Sequence, residues 1–169
     1  LFVKPHKAGD SLGVDEKSQV NTPEELKAKV NHVIDEYGPV LVEEYIKGRE
    51  FTVMVAANGD DAKSVTTFTP VEYIFPEGNS YKTYALKTSE LHPNANIPVT
   101  DKEIANRLRA AASDIFMGFD GVGYARLDFR MNNNGELFFL EINFTCSVFY
   151  KDGYEGSADY ILKYDGYGQ

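Results

Sequence analysis

The segment that most constrains this chain lies near its C-terminal end, where two strand-like runs flank a turn. Tyr124-Ala125-Arg126-Leu127-Asp128-Phe129-Arg130 is followed, after Asn132-Asn133-Asn134-Gly135, by Leu137-Phe138-Phe139-Leu140-Glu141-Ile142-Asn143. Asn-Gly between two such runs is a strong hairpin signal. An antiparallel fold about it pairs residues whose numbers sum to 267, so 126 faces 141 and 128 faces 139. Side chains alternate faces along a strand. Arg126, Asp128, Glu141 and Asn143 therefore share one face, with Asp128 diagonal to Glu141. The apolar run 137–140 suggests a strand covered on both faces. Two carboxylates converging in apolar surroundings require a cation, because like charges do not both stay ionised there. Carboxylate and amide oxygens suit a hard divalent ion, and Mg²⁺ completes its shell with water and substrate phosphates. The competing reading is a hairpin with an ordinary solvated polar face, since exposed charges are the rule. The register is also open to a one-residue slip, which would flip every side chain.

A length of 169 residues fits one domain or part of a larger one. The formal net charge of −9 argues against a nucleic-acid backbone as main partner. A nucleotide can still be bound locally by glycine-rich backbone, a few lysines and a metal. Cys146 is the single cysteine, so no internal disulfide forms, which fits a reducing compartment and a cytoplasmic setting. No apolar stretch is long enough to span a membrane, and no signal peptide is visible. The opening Leu1-Phe2-Val3-Lys4-Pro5 reads as the middle of a strand. The expectation is one domain over 1–169, a fragment whose N-terminal lobe precedes Leu1.

Along the chain, residues 4–15 read as a loop with Gly9 and Gly13. Thr22, Pro23 and Glu25 predict a capping box opening a helix, with Leu26, Val30, Val33, Ile34 and Tyr37 on its apolar stripe and Gly38-Pro39 as its stop. Val40-Leu41-Val42 begins a strand, Lys47-Gly48 turns, and 51–57 returns as a strand. Residues 63–75 read as one further strand. Residues 76–99, with Pro76, Pro93 and Pro98, read as a long loop of the kind that forms functional lids. Thr100 and Glu103 repeat the capping-box pattern, and Ile104, Leu108, Ala111, Ala112 and Ile115 predict a second helix. Residues 156–163 suggest a short final helix. The order is α+β, an antiparallel sheet with two packed helices.

Other constellations carry weaker signals. Lys4 stands at the mouth of Ala8-Gly9-Asp10-Ser11-Leu12-Gly13-Val14, where backbone N–H groups and an ammonium could meet phosphate. It matches neither a Walker A loop nor a dinucleotide fingerprint, and a plain surface turn competes. Val42-Glu43-Glu44-Tyr45-Ile46-Lys47-Gly48-Arg49-Glu50-Phe51 could offer backbone to an adenine edge and carboxylates Glu43 and Glu50 to ribose hydroxyls. An edge hairpin with solvated charges is its alternative. Lys82 and Lys87, with Tyr81 and Tyr84, could close over transferring phosphates. His6, His32 and His92 are scattered without ligand spacing. Cys146 reads as a small buried residue, and Ser11 lacks a nucleophile-elbow context.

Taken in order, these segments resemble the C-terminal, nucleotide-binding part of ATP-grasp ligases, most closely the D-alanine–D-alanine ligase-like group. The resemblance runs from Phe2 to about Tyr150, with Asp128 and Glu141 13 positions apart as in the family. It implies that Lys4 contacts the nucleotide phosphates and that Ser11 lies in the loop above them. It implies that Glu43, with backbone at Glu44 and Ile46, holds adenine, that Glu50 holds ribose, and that Lys87 reaches the terminal phosphate. Asp128, Glu141 and Asn143 would bind one or two Mg²⁺ ions, or Mn²⁺ in their place. Arg126 would offset charge on an acyl phosphate and a tetrahedral intermediate.

The implied partners are ATP, a small carboxylate and an amine, with no nucleic acid, no membrane, and a homodimer among the assemblies allowed. The implied reaction joins carboxylate and amine in an amide through an acyl phosphate. One departure stands out. Where the family has a Pro-Gly turn after the last metal ligand, this chain reads Phe144-Thr145-Cys146-Ser147-Val148-Phe149-Tyr150. That puts D-alanine in question and leaves two alternatives: a ligase of specialised metabolism with another acceptor, or a non-catalytic nucleotide- or metal-binding module.

Overall fold

The computed structural model describes residues 1–9, 11–59, 61–85 and 95–168, the side chains of 61–63 excepted. The chain forms two compact units, Leu1–Ile46 with Phe75–His92, and Lys47–Ile74 with Pro93–Gln169.

In the first unit, β1 (Phe2–Pro5) pairs antiparallel with β2 (Val40–Glu43), and α1 (Pro23–Tyr37) packs on them. The expected capping box opens α1. Thr22 Oγ1 accepts from Glu25 N, and Glu25 Oε2 accepts from Thr22 N. Val33 is fully buried against Val3 and Val20, with Leu26, Val30 and Val40 around them. Ile34 and Tyr37, expected on the same stripe, are exposed, because a two-stranded ladder is too narrow to cover a wide helix face. Lys29 takes a buried place instead. Its Nζ donates to Gly13 O at 3.2 Å and to Asp15 Oδ1 at 2.8 Å, anchoring the loop from within.

Burial pushes the Asp15 carboxyl up, but the hydrogen bond and charge of Lys29 outweigh it, and the net shift is downward. A depressed carboxyl adds stability that is complete above its unfolded pKa of about 3.9 and is lost as pH falls through the folded value. Asp15→Asn is therefore expected to destabilise at pH 7 by under about 1 kcal/mol, because the half-exposed carboxylate is screened. That gap should close in thermal melts taken well below pH 4. An equal gap at pH 7 and pH 3 would contradict it.

The second unit is a six-stranded sheet, ordered β6-β5-β3-β7-β8, with β4 also on β3. Its strands are β3 (Gly48–Asn58), β4 (Asp61–Thr67), β5 (Val71–Tyr73), β6 (Asn96–Pro98), β7 (Tyr124–Asn132) and β8 (Leu137–Asn143). Every described pairing is antiparallel. The sequence expectation of a hairpin joining 40–42 to 51–57 is overturned. β2 pairs with β1, and β3 finds its partners in β4, β5 and β7. A turn signal does not choose a strand's partner; the burial of each face does. The single strand expected over 63–75 is two, since Pro70 offers no N–H to a ladder. The loop expected over 76–99 ends in β6, paired with β5.

α2 (Lys102–Gly118) is capped by Asp101, not Thr100. Asp101 Oδ1 accepts from Glu103 N and Ile104 N at 2.9 and 3.1 Å, satisfying donors the helix cannot. Leu108, Ala112 and Phe116 of α2 pack on Phe51, Val53 and Val55 of β3 and on Ala125, Leu127, Phe129 and Met131 of β7. Each Val, Leu, Phe or Met among them contributes about 1.5–3 kcal/mol on burial, so odd-numbered positions of β3 and β7 are locked toward α2. Even-numbered positions then face the other way, where α3 (Ser157–Tyr164) covers Met54 and Val71 with Ala158, Ile161 and Leu162. Two helices pack on this sheet, but they are α2 and α3: of the two the sequence predicts, α2 lies here and α1 packs on the β1–β2 ladder. β8 lies at the sheet edge, and Phe139 and Leu140 are about 40% exposed. The run 137–140 is therefore not covered on both faces. No helix among the described residues is long and apolar enough to cross a membrane.

Gly48 opens β3 opposite Asn132. A Cβ there would lie 2.0 Å from Met131 O, so no other residue fits without moving backbone.

Candidate nucleotide and metal site

The β7–β8 hairpin turns through three residues, not the two the sequence register assumed. Asn132 N donates to Glu136 O and Gly135 N to Asn132 O, both at 3.0 Å, and Gly135 sits at φ +79°. A type I turn followed by a left-handed glycine has this form. Close to the turn the register is Met131 with Leu137, Arg130 with Phe138 and Phe129 with Phe139. This one-residue slip alone would turn Glu141 and Asn143 away from Asp128. A bulge between Asp128 and Phe129 restores them by leaving Leu140 unmatched. Beyond it Asp128 faces Glu141 directly, and Arg126 faces Asn143. The expected diagonal becomes a direct opposition, and the four side chains share the face opposite α2.

On that face Arg126 Nη2 lies 3.0 Å from Asp128 Oδ2 and 3.7 Å from Glu141 Oε1. The Asp128 carboxylate, then burial and Glu141, act on the guanidinium, and the net effect raises it above its ordinary range. Asp128 is buried, and its Oδ1 accepts from Thr52 Oγ1 at 2.9 Å. Glu141 is half exposed. Asn143 Oδ1 accepts from Thr145 N at 2.9 Å and so fixes the turn that follows β8. Cys146 is buried as expected, and burial pushes its thiol up. Two side chains on this face were passed over in the sequence: Thr52, and Arg130, which pairs with Glu50. Alternation from Arg126 and Asp128 already put Arg130 on the face. Thr52 was invisible because the β3–β7 pairing joins residues 76 positions apart.

Among the described residues no group of three His, Cys, Asp or Glu side chains could hold a metal. The candidate ligand set is two carboxylates and one amide oxygen. That fits Mg²⁺, which takes one or two carboxylates and leaves the rest of its shell to water and phosphate.

In the first unit, Lys4 Nζ and Glu43 Oε2 are paired at 2.7 Å across the β1–β2 ladder. Ser11 adopts φ +57° in the glycine-rich loop, and Glu44 and Ile46 follow β2. Tyr81 OH donates to Asp15 O at 2.9 Å and Tyr84 N to Val14 O at 3.1 Å, so the segment entering the expected lid is tied to that loop. Lys87 and the centre of that lid lie outside the described residues. Glu50 belongs to the second unit, in β3.

An antiparallel sheet with a helix on each face and this paired-carboxylate hairpin agree with the ATP-grasp class that the sequence resembles. Residues 1–149 match the family described as the D-ala D-ala ligase C-terminus, and the chain belongs to that family. It is 36% identical over 148 residues to a D-alanine–D-alanine ligase of Desulfotalea psychrophila, covering 85% of this chain and 43% of that relative. Among solved structures it resembles the VanG D-Ala:D-Ser ligase of Enterococcus faecalis, with 25% identity, a TM-score of 0.64, 84% of this chain and 39% of the other. It also shares the fold of D-alanyl-alanine synthetase A of Vibrio cholerae, with a TM-score of 0.67, 18% identity, 99% of this chain and 48% of the other. The chain thus spans under half the length of these relatives.

Proposed function

We propose that this chain is the ATP- and Mg²⁺-binding part of a carboxylate–amine ligase that forms an amide through an acyl phosphate. The observation that carries the reading is the convergence of Arg126, Asp128, Glu141 and Asn143 on one sheet face, held there by the compensating bulge. In the first step a substrate carboxylate oxygen attacks the γ-phosphorus of ATP, the bond to ADP breaks, and an acyl phosphate forms. In the second an amine attacks the acyl carbon, loses a proton, and inorganic phosphate departs. Asp128, Glu141 and Asn143 would hold Mg²⁺, which supplies charge neutralisation on the phosphates when bound. Arg126 stays charged through the working pH range and offsets the negative charge that develops at the transferring group. Lys4, Ser11 and Lys87 are assigned to the phosphates, Glu43 with the backbone of Glu44 and Ile46 to adenine, and Glu50 to ribose. The work is assigned to the cytoplasm, where ATP is replenished, with a homodimer as the assembly to test.

One observation favours an acceptor or donor other than D-alanine. The buried Asp159 carboxylate accepts from Phe149 N, Tyr150 N and Gly156 N. Backbone amides just past the hairpin are thus already engaged by the chain itself, in the segment that departs from the family's Pro-Gly turn.

Calorimetric titration with a non-hydrolysable ATP analogue, with and without Mg²⁺, tests the nucleotide site. Binding strengthened by Mg²⁺ is expected, and no binding in either condition would count against it. Phosphate release across a panel of carboxylates and amines then separates the substrate readings.

A further inference from the structure

Arg130 and Glu50 face each other in the β3–β7 register, on the same face as Arg126 and Asp128. Arg130 is 4% exposed and Glu50 7%. Arg130 Nη1 donates to Glu50 Oε2 at 3.2 Å, and Nη2 donates to Gly48 O at 2.9 Å. Taking two charges out of water costs about as much as their attraction returns, and well-packed apolar residues in place of a buried ion pair often hold a fold as well. Stability alone therefore gives a weak reason for this pair. Its geometry gives a stronger one. The Gly48 carbonyl belongs to the opening of β3, which β7 pins along its length. A planar guanidinium bonded to that carbonyl and to Glu50 fixes the carboxylate relative to the strand.

We propose that Arg130 is a positioning residue that orients Glu50 to accept hydrogen bonds from the vicinal ribose hydroxyls of a bound nucleotide. The inference rests on the assignment of Glu50 to ribose made above. A carboxylate offers about four acceptor sites, enough in kind to serve a guanidinium and ligand hydroxyls together. Receiving a cis-diol demands a set carboxylate plane, and supporting residues of this kind supply it.

The test compares an ATP analogue with its 2′,3′-dideoxy counterpart by calorimetry, in the unaltered protein, Glu50→Gln, Arg130→Lys and Arg130→Met. The unaltered protein should prefer the ribonucleotide by about tenfold, the scale of one good hydrogen bond to a charged group. Both Arg130 variants should lose most of that preference while binding the dideoxy form nearly as before. Arg130→Met leaves a carboxylate buried without its guanidinium and is expected to melt lower. The paired Glu50→Gln/Arg130→Met should recover the melting temperature without recovering the preference. Arg130→Lys keeps the charge and carries the test if Arg130→Met does not fold. Full preference in Arg130→Lys and in the paired variant would overturn the inference. Full preference in Glu50→Gln would instead overturn the ribose assignment beneath it.

Discussion

Gly48→Ala is expected to destabilise the second unit by about 4 kcal/mol or more, at the far end of what single substitutions do. The added carbon would meet Met131 O at 2.0 Å. That oxygen is backbone in the middle of the core sheet and cannot swing away as a side chain would. β3 would have to retreat from β7 at one end of a ladder of nine pairs. The Gly48 carbonyl would move with it and loosen its bond from Arg130. Such a loss is a large share of the 5–15 kcal/mol that holds a typical domain folded. Urea unfolding measures it directly. A midpoint within experimental error of the unaltered protein would show that β3 begins later than Gly48.

Asp128→Asn should separate the metal from the scaffold. The amide is nearly the shape of the carboxylate, and its oxygen can still accept from Thr52 Oγ1. What is lost is a negative charge and one anionic ligand. Affinity for MgATP is expected to fall by at least about tenfold, or 1.4 kcal/mol, with metal-free nucleotide binding little changed. Equal losses with and without Mg²⁺ would remove the metal assignment. The same variant addresses the interaction-module alternative. If Asp128 and Glu141 merely repelled one another across the ladder, Asn would leave nucleotide binding untouched and be neutral or stabilising in a melt.

The local signals in this sequence were read well because their physics is local. The Thr22–Glu25 box depends on residues three apart, and it formed as expected. The second helix start failed by one residue, because Asp101 competes with Thr100 and is the stronger cap. Strand partners were harder. Nothing near Val40 says that it will lie beside Pro5, and nothing near Thr52 says that its hydroxyl will meet Asp128. The face shared by Arg126, Asp128, Glu141 and Asn143 was legible although its register was not. Two departures, a longer turn and a bulge, each shift the pairing by one and cancel in their effect on which way the side chains point. The exposure of Phe139 and Leu140 was illegible, since an apolar run looks the same at an edge as at the centre.

The bulge at Leu140 makes the hairpin obey a parity rule. A chain can carry a two-residue turn and an unbroken ladder, or a three-residue turn and one spare residue, and present the same four groups to the same side. In this chain a three-residue turn with an unbroken ladder would pair Asp128 with Leu140 and hand Glu141 and Asn143 to the hydrophobic layer under α2. The length of the turn and the presence of the bulge are thus coupled in this chain, although Leu140 lies five positions beyond Gly135. A substitution that forced a two-residue turn on the unchanged chain should therefore remove the bulge as well.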